Sequence, residues 1–488
     1  MDTNGLIRNS FKWSAISEVL VKIVSPILNA ILAHILLPED YGPLATITMI
    51  ISFCEVFVES GFRKYLIQHE FESEDEERSA YSVAFWTTLG ISIVIWGIIA
   101  TFCKPLSIYF GNGEIWLAIA ISGGILPMYA MVGIFNAAIQ KQLGFKKLFV
   151  VRVITSFIPL FVTIPLALLG MGYWSLVIGH IAGVASNMIG MKIQSKFKVE
   201  WFYSVDLLRK MFSDTFWTFS DGIVIWLTTW IDSLIITRLM SDYYLGLYRN
   251  SLATITGLFT MVTTAVTPVL FVGLSKLQKE NERFSALFLQ TQQVLAVFLI
   301  PMGVGVYLYQ DLAVQVLFGD KWAEAAPIVG ITAITLALRT VFVSICSDAY
   351  RAKGAFRIPL FLQLVDLGML VPICLISARY GFWHLVYARA FSRLILIIPE
   401  ILIMKKYLQI NTRDQLKRLL PVFTATAVMT LTALALMRIG SAFWFQFCSI
   451  AFCIVVYFAV LLVSSAEIKR TAMQSRYVRL FIDKIRKH

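Results

Sequence analysis

Ionisable side chains stand in stretches of this sequence that are otherwise apolar. Arg389 and Arg393 lie four residues apart in one such stretch, and Arg339 lies in another. Asp232 and Asp366 are placed in the same way, and the first two apolar stretches carry Glu18, Lys22, Glu55 and Glu59. A charge at bilayer depth costs about 2.5–3.5 kcal/mol on insertion scales, so such groups face a protein interior or a wet cavity and mark substrate or ion paths. Glu18 and Lys22 are spaced i, i+4 and can neutralise each other. Glu55 and Glu59 share that spacing but have like sign. Lys22 or Arg63 must offset them, or one of them carries a proton. Arg389 and Arg393 share a helix face and repel, and a guanidinium does not shed its proton to relieve this. An anion between them would: Asp366, Asp348 or a ligand phosphate. Two readings stay open, structural ion pairing and a polar path through a membrane.

Other chemistries lack their residues. The sequence has no G-x-x-x-x-G-K-[ST] loop, no G-x-S-x-G and no H-E-x-x-H. The six cysteines (Cys54, Cys103, Cys346, Cys374, Cys448, Cys453) fall inside apolar stretches without C-x-x-C spacing. They read as small core residues. Five scattered histidines offer no ligand pattern. No catalytic residue, metal or cofactor is expected, and the chain does not read as an enzyme.

The elements that must hold the charges are membrane helices. Mean hydropathy is +0.75, with 58% hydrophobic and 15% charged residues. A soluble globule carries about a quarter charged residues. A spanning helix needs about 20 mainly apolar residues, and such spans fall near 13–37, 43–62, 79–103, 115–139, 148–169, 173–191, 214–237, 247–271, 286–309, 325–349, 358–378, 381–404, 419–437 and 442–464. With this set, about three quarters of the 42 Lys+Arg fall in the termini and even-numbered loops, the asymmetry that marks the cytoplasmic side. Both termini are therefore expected in the cytoplasm. The net charge of +12 then faces anionic membrane lipids, not nucleic acid. The first span lacks an A-x-A-like site and is not expected to be a cleaved signal. The tail from Ile468 to His488 has basic and apolar residues at a spacing that suits a helix on the inner leaflet, or else a solvated tail. In the acidic run Glu70–Glu77, Ser73 and Glu76 fit a capping box for the third span, and a contact with Lys146 or Lys147 is an alternative to simple solvation.

The chain repeats itself. Gly172-Tyr173-Trp174-Ser175-Leu176-Val177 opens the sixth span, and Gly381-Phe382-Trp383-His384-Leu385-Val386 opens the twelfth, 209 residues later. Lys141-Gln142-Leu143-Gly144 and Arg351-Ala352-Lys353-Gly354 stand before the fifth and eleventh. A looser echo links Tyr41-Gly42 to Leu245-Gly246. A six-helix unit returns the chain to its starting side, so two copies are parallel. The expected organisation is a six-helix lobe over 1–200, a second over 201–410, and two extra helices with a basic cytoplasmic tail over 411–488. The expected fold is an all-α polytopic membrane protein with about 14 transmembrane helices.

The same stretches resemble a family. Leu37-Pro38-Glu39-Asp40-Tyr41-Gly42, Glu59-Ser60-Gly61-Phe62 with Leu66-Ile67-Gln68, and Gln140-Lys141-Gln142-Leu143-Gly144-Phe145-Lys146 are similar to bacterial polysaccharide transporters. So are Trp230-Ile231-Asp232-Ser233-Leu234-Ile235-Ile236, Leu245-Gly246-Leu247-Tyr248, Pro268-Val269-Leu270-Phe271 with Leu274-Ser275-Lys276-Leu277, and Leu317-Phe318-Gly319-Asp320-Lys321-Trp322. In order over about residues 35–390, they resemble the Wzx, colanic-acid-exporter-like branch of the MOP flippase superfamily. The resemblance implies two six-helix bundles in a V, MATE-like, working by alternating access in the bacterial inner membrane. It implies as cargo a lipid-linked oligosaccharide on undecaprenyl pyrophosphate, destined for lipopolysaccharide or exopolysaccharide. A glycan polymerase and other polysaccharide assembly proteins are the partners it suggests. In this reading Arg339, Arg389, Arg393 and Lys22 hold phosphate or acidic sugar, guanidinium being suited to bidentate anion contacts. Glu18, Glu55, Glu59, Asp232 and Asp366 couple an ion or pair those cations. A MATE-like cation-coupled drug or metabolite exporter is the alternative. A membrane glycan polymerase is a further one, which the short outer loops disfavour.

Overall fold

The computed structural model describes residues 24, 26–58, 62–195, 197–213, 215–355, 357–440 and 442–465. Glu18, Lys22 and Glu59, and the tail from Ile468, lie outside the described residues. Among the described residues the regular secondary structure is all helical. The helices are α1 (Pro26–Ile35), α2 (Pro38–Val58), α3 (Phe62–Gln68), α4 (Glu74–Tyr109), α5 (Trp116–Gly123), α6 (Ile125–Lys141), α7 (Phe145–Leu168), α8 (Tyr173–Ser195), α9 (Val205–Ser213) and α10 (Thr215–Leu239). They continue with α11 (Asp242–Lys276), α12 (Asn281–Leu308), α13 (Gln310–Leu317), α14 (Ala326–Arg339), α15 (Ile345–Ala352), α16 (Arg357–Ala378), α17 (Phe382–Ile395), α18 (Ile397–Ile403), α19 (Thr412–Ile439) and α20 (Phe443–Ser464). Two π-helical segments, Thr340–Ser344 and Met404–Leu408, follow α14 and α18.

Eleven helices among the described residues are long and apolar enough to cross a membrane. This is fewer than the fourteen spans expected. The first predicted span is described only as the short apolar helix α1. The eighth falls on the 35-residue α11. The twelfth, 381–404, is divided between α17 and α18. Side chains such as Phe161, Leu169 and Val463 are exposed, as expected where the solvent is hydrocarbon rather than water.

Packing divides the chain into two compact units. The first comprises Met1–Ala265, Leu317–Ala325 and Leu360–Ser392. In it the Ser73 hydroxyl caps α4, accepting from the Glu76 N–H at 3.2 Å, while Glu76 accepts from the Glu72 N–H at 2.9 Å. The acidic run finds its basic partner at Lys141, which lies 3.4 Å from Glu77 and donates to the His69 carbonyl. Lys146 and Lys147, considered from sequence, lie in the first turn of α7. Helix α8 turns Gly179, Gly183 and Gly190 toward Thr163, Pro159 and Val151 of α7. Small residues of this kind let membrane helices approach closely. Gly172 and Gly381, which open the repeated motif, have φ of 52° and 108°. L side chains rarely adopt that backbone, and each glycine turns the chain into the next helix.

The third echo is also a packing device. Helices α2 and α11 meet through Gly42 and Gly246. A Cβ on Gly42 would overlap the Asp242 carbonyl, and one on Gly246 would overlap the Pro38 carbonyl oxygen. Asn112 donates to the Asp242 carboxylate beside them. Burial pushes that carboxyl above its ordinary range, and the Asn112 hydrogen bond draws it back. Trp322, fully buried, donates its indole N–H to the Ala33 carbonyl at 2.9 Å and packs edge-on against Tyr41.

The second unit comprises Val266–Val316, Ala326–Pro359 and Arg393–His488. Helix α12 is its axis. Gly303 meets Ala333 and Ala337 of α14. Gln293 donates to the Arg418 carbonyl of α19, and the Tyr457 hydroxyl of α20 donates to the Val297 carbonyl. The two C-terminal spans are thus fastened to α12 by buried hydrogen bonds, not only by apolar contact.

We expect Gly246→Val to lower the detergent melting temperature sharply, since overpacking a filled contact costs about 1–3 kcal/mol or more. Gly90→Val, where a Cβ meets open space, should leave it unchanged. Equal melting of the two variants would refute the role given to the α2–α11 crossing.

Candidate functional site

The first unit buries a charged centre. Asp232 is fully buried on α10. Its Oδ2 accepts from Arg389 Nε at 2.9 Å and from the Tyr248 hydroxyl at 2.8 Å. Its Oδ1 accepts from the Ser233 N–H at 2.6 Å and the Ser233 hydroxyl at 3.0 Å. Arg389, on α17 and 6% exposed, also donates from Nη2 to the Thr228 carbonyl at 3.1 Å. Residues 228 and 232 are one helical turn apart, so carbonyl and carboxylate lie on one face of α10 and match the guanidinium fork.

Two further charges act on this pair. Asp366 on α16 is 2% exposed and adds its field to Arg389. Arg249 on α11 lies over the Trp230 ring at 3.7 Å and donates to the Thr229 carbonyl. Its charge reaches Asp232. Arg249 therefore folds back onto α10. Two acids and two arginines balance within the centre. Such a pair is retained when every lone pair and N–H finds a partner. Here one atom does not: Arg389 Nη1 is buried and has no hydrogen-bond partner among the described residues.

The other sequence-predicted residues are dispersed. Glu55 is half-buried on α2. Arg339, at the end of α14, and Arg393, 4% exposed on α17, belong to the second unit. The boundary between the units thus falls between Arg389 and Arg393. Two residues escaped the sequence reading. Tyr248 was legible only as part of a family motif, although its hydroxyl is a ligand of Asp232. Glu400 lies inside the predicted twelfth span, but its place near the end made it resemble part of the following loop. It is 1% exposed.

A helical bundle with eleven helices among the described residues long and apolar enough to cross a membrane, and with a desolvated charged centre, defines the class: a polytopic membrane protein. The family model described as "Polysaccharide biosynthesis protein" matches residues 31–327, and the chain belongs to that family. Among its relatives, the succinoglycan biosynthesis transport protein ExoT of Rhizobium meliloti (strain 1021) is 26% identical over 332 residues. The match covers 67% of this chain and 66% of ExoT, so the chain spans just under two thirds of that relative. The lipopolysaccharide biosynthesis protein WzxC of Escherichia coli (strain K12) is 21% identical over 336 residues, 68% of this chain and 67% of WzxC. The structure of the lipid II flippase MurJ in its inward closed conformation has the same fold, with a TM-score of 0.75 at 16% identity. That likeness covers 92% of this chain and 98% of MurJ.

Breaking a buried pair by removing one member costs about 3–5 kcal/mol, because the other charge is left uncompensated. We therefore expect Arg389→Gln to destabilise the protein in detergent more than Asp232→Asn with Arg389→Gln together. A double variant as unstable as the sum of the two single variants would show that the residues do not act as a pair.

Proposed function

We propose that this protein carries a lipid-linked oligosaccharide, of the undecaprenyl-pyrophosphate type, across the bacterial inner membrane by alternating access, and catalyses no covalent step. The observation that carries the reading is Arg389 Nη1, a buried guanidinium N–H without a partner, in a chain of the polysaccharide biosynthesis family. Sugar and pyrophosphate cannot cross hydrocarbon unaided, whereas a prenyl tail can remain in lipid. A transporter for such a molecule needs fixed cations at membrane depth, and they must be compensated while no cargo is bound. Asp232 and Asp366 compensate Arg389 in the resting protein. An arriving phosphate would take up Nη1 and compete with Asp232 for the guanidinium, so that cargo binding loosens the hold of α17 on α10. Arg339, Arg393 and Lys22 are the further cations we assign to the cargo. Glu18, Glu55 and Glu59 are assigned to pairing or ion coupling.

The naming of ExoT as a transport protein and of MurJ as a lipid II flippase supports this cargo class. The charge sorting of the loops supports cytoplasmic termini. The sequence echoes support lobes over 1–200 and 201–410, with 411–488 appended. With this sidedness, the α2–α11 glycine crossing and the Asn112–Asp242 hydrogen bond lie at the extracytoplasmic end and must part in each cycle.

Two experiments test the proposal. Depleting the protein should cause the lipid-linked repeat unit to accumulate on the cytoplasmic face of the inner membrane and should reduce surface glycan. Unchanged glycan with no precursor accumulation, in a strain holding no second flippase, would end it. Separately, a disulfide between Asn112→Cys and Asp242→Cys should block export under oxidising conditions and release it on reduction. Export at the full rate with the cross-link formed would exclude opening at that end.

A further inference from the structure

The second unit holds a carboxyl group that the charged centre of the first does not use. Glu400 lies on α18 with both carboxylate oxygens buried and without a hydrogen-bond partner among the described residues. Its surroundings offer few donors. The Cys346 thiol of α15 reaches its carboxyl as a weak donor, outside good hydrogen-bond geometry, and is shared with the Phe342 carbonyl at 3.2 Å. Tyr350 also faces it, with its own hydroxyl unpartnered. Arg339 exerts its charge on Glu400 but donates no hydrogen bond to it. Asp348, the remaining titratable group of α15 on that side, acts on Cys346 and is answered by Arg351. Elsewhere in the unit, Gln292 Oε1 and Gln415 Oε1 are buried acceptors without donors. Among the described side chains of this unit, buried acceptor atoms without a donor thus outnumber buried donor atoms without an acceptor. An uncompensated carboxylate in hydrocarbon is strongly disfavoured, and a proton on it turns one acceptor into a donor.

Both helices that meet at Glu400 are wound irregularly. The π-helical segment Thr340–Ser344 follows Arg339 directly, and Met404–Leu408 begins four residues after Glu400. Each is held by a glutamine. Gln292 donates to the Val341 carbonyl at 2.9 Å, and Gln415 reaches the Met404 sulfur at 4.0 Å. The second segment ends at Gln409, whose φ is 58°. Short π segments occur frequently at functional sites. Conversion to α-helix shifts register by one residue, which turns side chains beyond it by about 100°.

We propose that Glu400 is a proton-binding group of the transport cycle. The carboxyl carries a proton in the conformation described here. It releases that proton to water when rewinding of the π segments brings the Arg339 guanidinium to the carboxylate. That protonation drives cargo movement rests on the flippase reading above. Protonation itself does not.

The test uses the full-length protein in lipid nanodiscs and in proteoliposomes. In nanodiscs, the infrared band of a protonated carboxyl should disappear as pH is raised in wild type and be absent from Glu400→Gln. Glu400→Asp should retain a titrating band at a shifted midpoint. A titrating band unchanged in Glu400→Gln, or one displaced by sodium at fixed pH, would overturn the proposal. In proteoliposomes, an imposed proton gradient should speed movement of a fluorescent lipid-linked oligosaccharide by wild type. It should not affect Glu400→Gln, and Glu400→Asp should recover the response. A gradient response retained in Glu400→Gln overturns the coupling role. Wild type that moves no cargo at any pH, while the infrared band still titrates, would fault the flippase reading instead.

Discussion

A guanidinium placed in hydrocarbon must find its counter-charge within the protein, because no water is present to supply it. The Asp232–Arg389 pair meets that demand and organises the first unit in doing so. Its ligands come from α10, α11 and α17, with Asp366 of α16 adding its field. Four of the helices in that unit therefore converge on one carboxylate and one guanidinium. In a medium of low dielectric the pair is strong, and either member left alone is costly. The same fact gives the centre its sensitivity. On the reading proposed above, an anion that takes up Arg389 Nη1 competes with Asp232, the acid that fastens α17 to α10.

The positions of the charges were legible in the sequence, and their pairing was not. Asp232 and Arg389 are 157 residues apart, and nothing local indicates which of several intramembrane acids meets which arginine. Asp366, Asp348 and a ligand phosphate all satisfied the requirement that something anionic stand near Arg389, and none was ranked by helix geometry. Glu400 was hidden for a different reason. Hydropathy averages over a window, so a single carboxylate four residues from the end of a span reads as the start of a polar loop. The irregular winding at 404–408 and the division of the twelfth span depend on packing around Gln415 and Tyr350, which has no sequence signature. The capping of α4 by Ser73 was readable because its interactions are local. Lys141 as the partner of Glu77 was not legible, because nothing local says where α6 ends.

The repeated glycines carry more information than their frequency suggests. Gly172 and Gly381 answer a need of the backbone, a left-handed turn into a helix. Gly42 and Gly246 answer a need of packing, since each sits where the other helix's backbone would meet a side chain. A motif retained for a turn can recur in any membrane protein. The pair Gly42 and Gly246 answers a contact between two helices rather than the composition of an interface.

The two buried ionisable sites treat polarity in opposite ways. At Asp232 the acid has four hydrogen bonds and one donor atom beside it, Arg389 Nη1, is left over. Around Glu400 most of the atoms left over are acceptors, at Glu400, Gln292 and Gln415. A spare donor favours an anion, and a spare acceptor favours a proton. Neither imbalance persists in hydrocarbon for reasons of stability alone, since replacing such groups by apolar ones of like shape is often neutral or stabilising. Polar atoms kept dry and incompletely paired are better explained by what binds them at another stage. On the reading proposed above, cargo recognition falls among α10, α11 and α17 and proton binding between α14 and α18.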